Sequence, residues 1–219
     1  CLRTPYSQLQ ATVDMDMNAF DEVKPGKLMA QLKGALGRSD LFLFAGDAFP
    51  NAMKKKWPFY PMKIEGSFKG NMQQASFSGL KLSLPTAFEL SADGILGNLT
   101  DMNRLKANVD LEARTYHLDF ITAMLDPSLM QEIRVPSGIG IRGNIQADGS
   151  RYATRLAITE GRGRMRVDAK IDAKTRKDGS IDMNRLAYQA KIQAHNIQAK
   201  HFLPKQDLHS FTGSLEAKG

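Results

Sequence analysis

Apolar and polar residues alternate with a period of two along most of this chain, the pattern of strands with one wet face. Residues 163–175 show it most cleanly. Met165, Val167, Ala169, Ile171 and Ala173 share one parity, and Arg164, Arg166, Asp168, Lys170, Asp172 and Lys174 share the other. Residues 5–20 alternate through Leu9, Ala11, Val13, Met15 and Met17, and residues 27–36 through Leu28, Ala30, Leu32 and Leu36. From Met62 the strands resume through Ile64 and Phe68. Leu80, Leu82 and Leu84 follow, then Pro85, then Phe88, Leu90 and Ala92. Residues 105–116, 138–148, 151–160 and 186–202 complete the series. Pro25-Gly26, Asp93-Gly94, Gly97-Asn98 and Asp178-Gly179 are the predicted turns.

The alternation breaks in a few places. Ser39-Asp40 is positioned to cap a short helix that ends before Pro50. Residues 51–60, NAMKKKWPFY, set Lys54, Lys55 and Lys56 beside Trp57, and Pro58 and Pro61 argue against regular structure. That segment has two readings: a basic and aromatic anchor at a membrane interface, or a loop whose aromatics cover one end of the core. Residues 119–133 show helical spacing at Phe120, Ile121, Met124 and Leu125, with Pro127 dividing the segment.

Two of the strands are near-copies. Asp101-Met102-Asn103-Arg104-Leu105 and Asp182-Met183-Asn184-Arg185-Leu186 lead into them 81 residues apart. Gly70-Asn71 and Gly143-Asn144 match at an offset of 73, so the later unit holds eight further residues, which fit the turn at 174–181. The chain therefore divides into 1–61 (the end of one β unit and an irregular connection), 62–137 and 138–209 (two β repeats), and 210–219 (the start of another). Because 210–219 opens a unit without finishing it, the chain is read as a segment of a longer protein.

Composition adds little to this. The net charge of +7 favours anionic surfaces of any kind. No apolar run approaches the roughly 20 residues of a membrane-spanning helix. Cys1 is the sole cysteine, so no internal disulfide forms, and it is either a lipid-modified N-terminus or simply where the chain begins.

The expected fold is mostly β: repeated antiparallel meanders in a curved, elongated sheet with short helical connections. Its apolar parity either lines an open groove or fills a closed core. Frequent Ala on that parity and 11 Met residues lean toward an adaptable apolar lining.

Gly-led meanders, Asp-Met-Asn-Arg-Leu lead-ins and the Phe202-Leu203-Pro204 close resemble the AsmA-like/TamB superfamily, and the Met-rich opening is similar to Bacteroidetes-type members. The resemblance implies a periplasmic β-groove in the Gram-negative cell envelope, anchored in the inner membrane through regions outside this segment. It implies movement of phospholipid between inner and outer membranes, or support of outer-membrane protein assembly by β-augmentation. The residues expected to line the lipid groove are Val13, Met15, Leu82, Leu84, Leu90, Val109, Leu111, Met165, Val167, Ile171 and Ile192.

Signatures of catalysis are missing from the sequence. It has no nucleophile elbow, no P-loop and no paired metal-ligand spacing among His117, His195, His201 and His209. Gly161-Arg162-Gly163-Arg164 is a turn between strands. The basic residues lack the interleaved aromatics of single-strand binders, so nucleic acid is not an expected partner. The expectation is a non-enzymatic protein with no cofactor and no metal, whose partner is phospholipid or another lipid, with an outer-membrane assembly protein as the alternative.

Overall fold

The computed structural model describes residues 1–21, 23–71, 73–98, 101, 104–123, 134–175, 181–206 and 209–219. The described strands form one antiparallel sheet of twelve in strict sequence order. They are β1 (Leu2–Arg3), β2 (Gln8–Met15), β3 (Leu28–Leu36), β4 (Met62–Gly70), β5 (Gln74–Leu84) and β6 (Phe88–Gly97). Then come β7 (Lys106–Thr115), β8 (Gly140–Asp148), β9 (Arg151–Glu160), β10 (Gly163–Thr175), β11 (Ile181–Gln198) and β12 (Ser210–Lys218). Each strand pairs with the next, and the sheet does not close into a barrel. The mostly β meander expected from the alternation is therefore present as a single open sheet.

Register keeps one parity on one face from end to end. Val13, Ala30, Phe68, Phe77, Gly94, Val109, Ile145, Thr154, Ala169, Ala190 and Ala217 are paired neighbours in one row across β2 to β12. At about 4.8 Å per strand that row is about 48 Å long. A one-residue slip at any pair would put every later side chain on the wrong face. A bulge at Ser78-Gly79 of β5 shifts the register against both β4 and β6, and among the described residues β11 also shifts against β10 between Ala173 and Thr175 and against β12 between Ala194 and Ile197. Gly79 takes φ +59°, and its N–H donates to the Asp93 carboxylate at 2.7 Å, so parity is restored beyond it.

Antiparallel order makes β3, β7 and β11 run the same way. The connections after them therefore leave the sheet at the same end. The first holds α1 (Arg38–Ala45), a 3-10 turn (Gly46–Ala48) and α2 (Asn51–Lys56). The second holds the single helical turn α3 (Asp119–Thr122), and the third holds α4 (Ala199–Phe202). They form a rim. Trp57 of the first meets Phe120 of the second at 4.9 Å, and the Arg134 N–H donates to the Phe202 carbonyl of the third at 2.7 Å.

The packed core lies under this rim. Leu41, Trp57, Leu84, Ala87 and Phe120 are its buried members, with Leu36, Met62 and Phe88 against them. Leu36, Met62, Leu84 and Phe88 carry the apolar parity of β3 to β6, so the rim folds onto one end of the apolar face. Phe42, Phe49 and Trp57 interlock edge to face at 5.5–5.8 Å.

Several local expectations change. Asp93-Gly94 lies inside β6 and is not a turn. Gly94 sits in the strand where an added Cβ would come within 2.7 Å of the Asn108 carbonyl oxygen and 3.0 Å of the Phe77 ring. Residues 51–56 form α2 although prolines bracket the segment: Pro50 sits at its N-cap, where no helical N–H is lost, and Pro58 lies beyond its end. Ser39-Asp40 does not cap α1, because Gly37 is the N-cap and makes no side-chain bond. The Asp40 carboxylate instead accepts from the Thr4 and Ser7 hydroxyls, tying α1 to the start of β2. Met102, Asn103, Met124, Leu125, Pro127 and most of the 174–181 turn lie outside the described residues.

Candidate lipid-binding face

The residues expected to line a groove all fall on the apolar parity, but they do not share one environment. Val109, Leu111, Leu82, Leu90, Met165, Val167 and Ile192 are half-buried among their row neighbours. Val13, Met15 and Ile171 are exposed, Ile171 at 42%. Leu84 is different. It is fully buried beneath the rim, in the packed core, and so is no part of the open surface.

No second layer covers the rest of the face among the described residues. Its rows are completed by side chains that the alternation alone did not single out. Tyr152, Ile171 and Tyr188 are successive partners on β9, β10 and β11. Leu156, Val167, Ile192 and Leu215 form a further row, separated from the first by that of Thr154, Ala169, Ala190 and Ala217. In RYATRLAITE both parities carry apolar residues, since Ala153 and Ala157 alternate with Tyr152, Thr154, Leu156 and Ile158. Only pairing with β10 shows which of them share the face with Ile171.

The opposite face is a carpet of charges stitched across strands. Lys33 pairs with Glu65, Arg142 with Glu112, Arg155 with Asp168 and Lys191 with Glu216. These pairs are exposed and contribute mainly to register. The Glu216 hydrogen bond, and then its charge, raises the Lys191 pKa, and the same contact lowers that of Glu216. Five clefts of about 350–760 Å³ open between rows on this side. One runs between Lys81-Ser91-Glu112-Arg142 and Ser83-Glu89-Arg114-Gly140. These narrow clefts belong to the polar reverse of the sheet.

The basic and aromatic segment is also redistributed. Trp57 is 6% exposed and roots the rim core, so its indole is not available to a membrane. Covering one end of the core is what this aromatic does. Lys55 and Lys56 are exposed and Lys54 is half-buried.

Glu160 ends β9 on the apolar parity, as Leu84 ends β5 four strands earlier. It is 6% exposed, one oxygen meets His201 Nδ1 of α4 at 2.6 Å, and the other has no partner. The end of β5 thus meets the rim through an apolar contact and the end of β9 through a carboxylate–imidazole pair. His117, His195 and His209 are exposed. No group of three or more His, Cys, Asp or Glu able to hold a metal occurs among the described residues. No helix there is long and apolar enough to cross a membrane. Comparisons with family models, curated proteins and solved structures return no match.

Proposed function

We propose that this chain binds lipid acyl chains along the apolar face of its sheet, as a non-enzymatic segment of a lipid-transfer bridge in a Gram-negative cell envelope. One observation carries the reading: a single apolar parity continues in register over eleven strands and is left open beyond the rim. An apolar surface of that extent is costly in water, at about 25 cal/mol per Å², and calls for an apolar occupant. An acyl chain suits it better than a protein core would. The row is mostly Ala, Val, Ile and Phe, and its one hydroxyl, Thr154, is spent on the Asn144 carbonyl at 3.1 Å, so no charged group sets a stopping point along it. Headgroups would stay in water, and direction would come from the membranes at either end. The resemblance to AsmA-like proteins supports the compartment and the phospholipid cargo.

Support of outer-membrane protein assembly is the second reading. The outer edge of β12 is unpaired in the described sheet, and β1 covers only Gln8 and Leu9 of β2, leaving backbone groups for a client strand.

Native mass spectrometry of the protein purified from a bacterial host separates these readings. Bound phospholipid, lost in Val109→Asp and Ile171→Asp variants that remain folded, supports the lipid face. A lipid-free mass under gentle conditions overturns it.

A further inference from the structure

We infer that the first rim connection carries a docking surface for an anionic lipid bilayer, built from Phe59, Tyr60, Lys55, Lys56 and Arg38. Phe59 is 84% exposed and Tyr60 54%, which is unusual for aromatic side chains on a connection. They do not hang from a loose loop. Two residues before Phe59, Trp57 is locked into the core by Phe42, Phe49 and Phe120. The Arg38 guanidinium lies 4.8 Å from the Phe59 ring centre and donates to the Lys54 carbonyl at 2.8 Å, which joins α1 to α2. Phe59 is therefore held in place before any partner arrives, and ordering it on binding costs little.

Charge selects the partner. The connection has four cations, Arg38, Lys54, Lys55 and Lys56, against Asp40 and Asp47. Asp40 is already engaged by Thr4 and Ser7. Neither Lys55 nor Lys56 pairs with a carboxylate among the described residues. Aromatic rings flanked by unneutralised lysines match a headgroup layer, where rings settle at the boundary and ammonium groups meet lipid phosphates. Leu43 and Phe44, exposed on the same connection, add apolar surface. This inference does not rest on acyl chains occupying the sheet, because the two surfaces are built from different residues.

Vesicle sedimentation of the whole chain tests it. The protein should sediment with mixed phosphatidylcholine–phosphatidylglycerol vesicles, weaken with added salt, and stay in solution with phosphatidylcholine alone. Phe59→Ser with Tyr60→Ser, and separately Lys55→Glu with Lys56→Glu, should each weaken binding by about tenfold or more. Trp57 emission unchanged from wild type shows the rim intact in each variant. Ile171→Asp, on the sheet, should sediment like wild type. Three results would overturn the inference: no sedimentation of the wild type, full binding by the Phe59/Tyr60 variant, or loss confined to Ile171→Asp, which would put the contact on the sheet face.

Discussion

The substitution of Ile171 by Asp tests most directly whether the apolar face is open. Ile171 lies between Tyr152 and Tyr188 in register and is 42% exposed. Full burial of an isoleucine stabilises by about 1.5–3 kcal/mol, so the part realised here is about 1–2 kcal/mol. Loss of a β-branched residue from a strand adds up to about 1 kcal/mol. The new carboxylate keeps its water, so no desolvation is added. The expected cost is about 1–3 kcal/mol, which a sheet of this size tolerates. Leu84→Asp is the comparison, because it makes the same kind of change at a position with no exposure. There the lost side chain costs about 2–5 kcal/mol and an unpaired buried charge several more, together enough to unfold the rim. Urea titration followed by far-UV circular dichroism and by Trp57 fluorescence measures both. If Ile171→Asp costs as much as Leu84→Asp, the face is covered and the argument for an open apolar surface fails.

Other outcomes follow from single contacts. Trp57 is the sole tryptophan, so its emission should be blue-shifted and resist acrylamide, and Trp57→Ala should cost about 3–5 kcal/mol; emission like that of free indole in water would refute the rim core. His201→Ala leaves the Glu160 carboxylate buried without its partner and should lower stability by about 1–3 kcal/mol in thermal melts. Adding Glu160→Leu, the residue type at the matching end of β5, should recover most of that loss, and failure to recover would refute the equivalence of the two positions. Hydroxyl donation from Ser7, then Thr4, lowers the Asp40 pKa below its ordinary 3.8. Its contribution is therefore complete above that value and lost as pH falls through the lower folded value. The stability gap between wild type and Asp40→Asn should shrink in that acid range, and a gap that stays constant with pH counts against the linkage.

The strands were legible because each needs only its own alternation: β10, with Met165, Val167, Ala169 and Ile171 opposite Arg and Lys, has no second interpretation. The helical spacing from residue 119 is met by α3, but the strand expected over 186–202 starts earlier, at Ile181, and ends at Gln198, so that α4 takes up 199–202. The candidate face was legible as a parity, which is why its residues other than Leu84 share one open surface. Local signals misled where a neighbour distant in sequence decided the outcome. Asp93-Gly94 has turn chemistry, yet Gly79 and Phe77 hold it in β6. Lys-Lys-Lys-Trp reads as one basic and aromatic unit, yet Phe120, more than sixty residues on, buries the tryptophan and leaves Lys55 and Lys56 exposed without it.

What the sequence determined by itself is the period-two pattern, and with it strands, register preference and a wet and a dry face for each strand. Tertiary structure alone decided that the twelve strands stay in one layer, that three connections gather at one end as a rim, and that Leu84 and Trp57 are core while Ile171 is surface. The physical reason is that alternation specifies which side of a strand avoids water and not what covers that side. Coverage depends on residues brought together from far along the chain, and here they reach only the rim end of the sheet.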